Sequence, residues 1–134
     1  MNKSKRPGNN EVYIPAEETV CNFMYLSEIV NDKTHLIIRI MDAFLRQVPG
    51  ELRLLNEALK LPDYPAIRRN AHTMMSSVSI MGITSLNNVL KEIEKLAKSE
   101  TEIEKIKMQA KTLDIICKQA IKEIEKEKIN YMSM

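Results

Sequence analysis

Of the two histidines in the chain, one stands in a pattern suited to chemistry. It lies in the stretch Ala71-His72-Thr73-Met74-Met75-Ser76-Ser77-Val78-Ser79-Ile80-Met81-Gly82. Read as a helix, Ile67, Ala71, Met74, Val78 and Met81 recur at steps of four and three and make one apolar stripe. At about 100° per residue, His72 projects roughly 160° away from Met74. Its neighbours on that face are Arg68 and Arg69 one turn before, then Met75, Ser76 and Ser79 after. An imidazole flanked by positive charge and small side chains is an accessible nucleophile, with room for a partner surface to come close. Two plainer readings stand beside this one. A lone histidine in a bundle can be buried and satisfied by a carbonyl, although aliphatics already fill the core side of this helix. It can also be a solvated side chain with no role, which composition alone does not separate from a nucleophile.

Other chemistry finds little support. There is no glycine-rich phosphate loop, no HExxH, no GxSxG and no acidic cluster suited to magnesium. Without elements for ATP, the chain is not expected to phosphorylate itself from nucleotide. His35 sits among polar residues and reads as a surface histidine. Cys21 and Cys117 are far apart with no CxxC, so they read as reduced, partly buried thiols, and a zinc site would need more ligands. A net charge of +2, with basic and acidic residues interleaved, gives no reason to expect nucleic acid. No apolar run approaches the ~20 residues of a membrane span. The basic N-terminus has no signal core behind it, and the cytoplasm is the expected compartment.

The elements that must position His72 follow from length and periodicity. A chain of 134 residues, 44% apolar and 28% charged, suits one globular domain. Residues 1–17 hold Pro7-Gly8 and Pro15 without period and read as an arm or linker. Thr19 is a candidate cap for a short helix carrying Val20, Phe23, Met24, Leu26, Ile29 and Val30. Asn31-Asp32 breaks that helix and caps a second, Lys33 to Gln47. Pro49, tolerated in a first turn, opens a third with Leu52, Leu55 and Leu59 inward. Asp63 is placed to cap the His72 helix and Gly82 to stop it. Thr84 or Ser85 caps a fifth helix through Lys98, and a last one runs to about Lys126, its outer face mixed Lys and Glu. The expected fold is all-α: an up-and-down antiparallel four-helix bundle with one or two additional N-terminal helices, over residues 18–128, before a frayed tail at 129–134.

Ala71-His72-Thr73-Met74, Ser77, Gly82-Ile83, Leu86 and Ile93-Glu94, in this order, resemble the histidine-containing phosphotransfer (HPt) domain of phosphorelays. Its signature is roughly A-H-x-L-K-G-S, then a glycine, then a helix with a hydrophobic-Glu pair. Upstream, Phe44-Leu45, Gln47, Pro49 and Leu52, and Asp63-Tyr64 with Ile67-Arg68, resemble the preceding helices. The similarity spans about Thr19 to Lys126. It implies that His72 is phosphorylated by a receiver-domain phospho-aspartate and passes the group to another receiver, with a hybrid sensor histidine kinase among the partners. An imidazole with the ordinary pKa of about 6.5 is largely neutral near pH 7, as a nucleophile must be. The resemblance gives Glu94 the part of the acceptor that orients the ring.

Two departures from the family bear on the site. Ser76 stands where a glycine is preferred, and it is still small. Met75 stands where a lysine steadies the phosphoryl oxygens, and Lys91, Lys98, Arg68 or Arg69 are the other cations within reach. An exposed thioether at Met75 would suit partner contact. The expected role is therefore a phosphocarrier without turnover of its own, docking through Arg68, Arg69, Met75, Ser76 and Ser79. No cofactor is expected in this chain; Mg²⁺ would belong to the receiver. A monomer is expected. The alternative is a docking-only module that regulates a receiver or kinase without carrying phosphate.

Overall fold

The computed structural model describes residues 19–133, so the arm expected over 1–17 lies outside the described residues. Five helices follow in order: α1 (Phe23–Ile29), α2 (Thr34–Lys60), α3 (Tyr64–Ile80), α4 (Asn87–Lys98) and α5 (Ile103–Met132), with a 3-10 turn at Thr84–Leu86 leading into α4. The described residues contain no strand, as an all-α chain should. None of their helices is long and apolar enough to cross a membrane. α2 packs on α3 and α5, α4 packs on the same two helices, and the α3–α4 contact is the broadest of the four. The apolar stripe of α3 lies at the centre: Ile67, Ala71, Met74, Val78 and Met81 are all fully buried.

The main difference from expectation is at Pro49. The sequence reading splits the chain there, but α2 runs unbroken for 27 residues with Pro49 inside it. An interior proline costs ~3 kcal/mol through its missing N–H and ring clash. Against that stand Ile37, Met41, Phe44, Val48, Leu52, Leu55 and Leu59, all buried at steps of three and four that keep phase across the proline. Each leucine so buried contributes about 1.5–3 kcal/mol, so the three beyond Pro49 outweigh it. The proline ring itself faces solvent.

Smaller corrections concern helix ends. Asn22, not Thr19, caps α1, its Oδ1 accepting from the Tyr25 N–H at 3.0 Å. Asn31 and Asp32 do break the chain, with φ of 54° and 59°, but the cap position of α2 falls to Lys33, which makes no side-chain cap bond. Thr84 and Ser85 are absorbed in the 3-10 turn, and the cap position of α4 is Leu86. α5 passes Lys126 and continues to Met132; near its end Tyr131 Oη lies 3.2 Å from Ser27 Oγ of α1. Asp63 behaves as expected, accepting from the Ala66 N–H at 3.1 Å.

The segment before α1 is fastened at two places. The Glu123 carboxylate on α5 accepts from the backbone N–H groups of Val20 and Cys21 at 2.8–3.0 Å. The Asn22 N–H donates to the Met81 carbonyl at 3.0 Å. Gly82 has φ +69°, and a Cβ there would fall 2.6 Å from Asn22 Cβ, so both backbone and space require glycine. Cys21 and Cys117 are free and buried. Burial raises both thiol pKa values, that of Cys117 to about 12.

Candidate functional site

The turn at Gly82 sends α4 back along α3, and that return brings Glu94 to His72. The imidazole Nδ1 lies 3.0 Å from Glu94 Oε2, while the His72 side chain remains 73% exposed and that of Glu94 only 25%. A carboxylate accepts only, so Nδ1 is the donating nitrogen whenever Glu94 is ionised. In the neutral ring that arrangement leaves the lone pair on Nε2, on a side chain that stays largely exposed. Burial of His72 is thereby excluded. It is equally unlike an unattached surface histidine, because its ring meets a carboxylate from a second helix.

Glu94 is held in turn by the way α4 sits on α5. Two residues earlier, Glu92 lies roughly 160° round the helix. Its Oε2 is 3.3 Å from Lys105 Nζ, and its Oε1 accepts from Gln109 Nε2 at 2.7 Å. These hydrogen bonds, Lys105 first and then Gln109, hold the Glu92 carboxyl below the usual carboxylate range. The polar flank of α4 is thus tied to α5 on one side and to His72 on the other.

Around the imidazole is a shallow groove of about 450 Å³ lined by Pro65, Arg68, Arg69, His72, Thr73 and Glu94. Among the described residues neither arginine makes an ion pair. Arg68 and Arg69, expected beside His72, are therefore brought to it. Pro65 and Thr73 were not anticipated. Pro65 sits seven residues before His72, two turns back on the same face, a spacing that marks it in retrospect.

The other expected residues lie elsewhere. Ser76 is exposed on the next turn of α3 and lines neither this groove nor the next. Ser79 lines a second hollow of about 300 Å³, with Asn22, Tyr25, Gly82, Ile83, Thr84 and Asn87. Lys91 and Lys98 are exposed on α4 but do not line the histidine groove. Met75 corrects the sequence reading: it is half-buried and packed against the core, where an exposed thioether was expected. The reason is angular. Three residues past His72 is about 60° round the helix toward the apolar stripe.

No curated protein and no solved structure matches the chain. The family model of the Hpt domain matches residues 39–127, which takes in most of α2, all of α3 and α4 and most of α5 and leaves α1 outside. A match over more than half the length, with an exposed histidine on α3 tied to a carboxylate on α4, leads to one conclusion: the chain belongs to the Hpt domain family, the phosphotransfer modules of two-component signalling.

Proposed function

We propose that this chain is a phosphorelay intermediate that takes a phosphoryl group on Nε2 of His72 from a receiver-domain aspartate and gives it to another. The observation that carries this reading is the Nδ1–Glu94 contact at 3.0 Å on an otherwise open imidazole. With the Nδ1 proton held by Glu94, the lone pair of Nε2 attacks phosphorus in line with the aspartyl leaving oxygen. The P–O bond to the receiver carboxylate breaks, that carboxylate leaves with the electron pair, and an N–P bond forms. The ring keeps its Nδ1 proton and gains positive charge, which the Glu94 carboxylate balances across a charge-assisted hydrogen bond. Onward transfer reverses the step toward a second aspartate. The chain is a covalent carrier, with no turnover of its own. In this reading the divalent cation belongs to the receiver.

The receiver would dock on the α3 face around His72, with Arg68, Arg69, Ser76 and Ser79 presented to it. Ser76 supports close approach because its side chain is small and exposed. A hybrid sensor kinase is the natural first donor. We read α2 to α5 as an antiparallel up-and-down bundle, acting as a cytoplasmic monomer. The test is transfer from a phosphorylated receiver domain, with Mg²⁺, to wild type and to His72→Gln, followed by intact mass. One phosphoryl group gained by wild type alone is the expected result. No gain, with retained receiver binding, would instead favour a docking-only regulator.

A further inference from the structure

We infer that the phosphoryl group on His72 is held on the N-terminal side of the imidazole, with Arg68 and Arg69 neutralising its oxygens. This inference rests on the carrier reading above and assigns the cations that stabilise the phosphorylated state. A phosphoryl group on Nε2 brings close to two negative charges into a site where the one carboxylate, Glu94, already faces the imidazole. Its oxygens need cations, and the candidates are Lys91 with Lys98 on α4 and Arg68 with Arg69 on α3.

Met75 supplies none, being uncharged and packed against the core. Lys91 and Lys98 lie outside the groove. Arg68 and Arg69 line it together with His72, and neither makes an ion pair among the described residues. On α3 the groove runs from His72 and Thr73 toward the N-terminus, past Arg69 and Arg68 to Pro65, and takes in no residue of the following turn. Guanidinium also matches phosphate geometry better than an ammonium, offering paired donors in a planar fork. Both arginines are exposed on α3 and clear of the core stripe, so changing them tests charge with little effect on folding.

The experiment uses potassium phosphoramidate as donor, which removes receiver docking from the measurement, with every protein carrying His35→Gln so that the mass gained reports His72 alone. Nε2 attacks phosphorus, the P–N bond of the donor breaks, and ammonia leaves. After donor removal, the first-order loss of the phosphoryl group is followed by intact mass. Arg68→Ala/Arg69→Ala should shorten the lifetime of the phosphorylated form by about tenfold, the scale of a lost charge-assisted contact. Arg68→Lys/Arg69→Lys should recover most of it, and adding Met75→Lys to the double alanine variant should restore part. Lys91→Ala and Lys98→Ala should stay within about twofold of wild type. An unchanged lifetime in the double alanine variant, or a larger loss in either lysine variant, overturns the assignment while leaving the carrier intact. If wild type takes no phosphoryl group from either phosphoramidate or a receiver, the carrier reading itself fails, and this inference with it.

Discussion

His35 and His72 are the only histidines of the chain, and both are exposed on helices. They make a natural comparison. His35 lies in the first turn of α2, beside a break in the chain, and makes no side-chain hydrogen bond or ion pair among the described residues. His72 sits in the middle of α3, where α4 returns alongside and delivers Glu94. The residue type and its exposure are shared; the second helix is not. Exposure makes an imidazole available, and in our proposal the Glu94 carboxylate decides which nitrogen is left to react. The surrounding charge differs too, since His72 shares its groove with two guanidiniums.

The largest expected effect tests this contrast directly. His72→Gln should abolish phosphoryl uptake from a receiver while His35→Gln leaves it intact, both read by intact mass. Uptake that survived in His72→Gln and vanished in His35→Gln would invert the comparison. Next comes the turn that lets α4 return at all. Gly82→Ala places a methyl 2.6 Å from Asn22 Cβ at a positive φ, and should cost about 2 kcal/mol in thermal or urea unfolding. An unchanged midpoint would show that the segment around Asn22 yields freely.

Removing the partner converts the one histidine toward the other. Glu94→Ala should slow uptake by about tenfold, the worth of one charge-assisted hydrogen bond, and Glu94→Gln should slow it less because the amide oxygen can still accept from Nδ1. Equal rates for all three proteins would mean that the 3.0 Å contact does not orient the ring.

The smallest effect extends the idea to a carboxylate with an unpaired oxygen. Glu51 Oε1 is buried with no hydrogen bond among the described residues, and burial raises the pKa of this side chain. A carboxyl whose folded pKa lies above its unfolded value binds more protons in the folded state, so it favours folding at low pH and loses that contribution as pH rises through the folded pKa. Glu51→Gln should therefore stabilise the protein at pH 7, by about 0.5 kcal/mol or less after solvent screening, and the gain should disappear below the unfolded carboxylate range near pH 4. Parallel urea titrations at the two pH values would show it. A gain independent of pH would assign the effect to packing.

Much of the site could be read from residue order because it depends on one helix. The stripe from Ile67 to Met81 fixes which side of α3 is buried, and so places His72, Arg68 and Arg69 outside. The same geometry put Met75 between the two faces, a consequence the sequence reading overlooked when it treated that side chain as exposed. Glu94 was legible only through resemblance, since 22 residues and a turn separate it from His72. The continuity of α2 was missed for a different reason. A local rule about proline competes there with an apolar period that keeps phase across Pro49, and core burial decides that competition. The bonds from Val20 and Cys21 to Glu123, more than a hundred residues apart, have no local signal at all.

The two buried thiols carry a practical consequence. Alkylating reagents react with thiolate, and burial holds Cys21 and Cys117 in the protonated, inaccessible form across the neutral range. A cysteine introduced at exposed Lys91, outside the histidine groove, would then be the one fast-reacting position among the described residues, with no need to remove the native pair. A fluorophore attached there would sit one helical turn from Glu94, beside the docking face and off it, and report in real time the arrival and departure of whatever docks there.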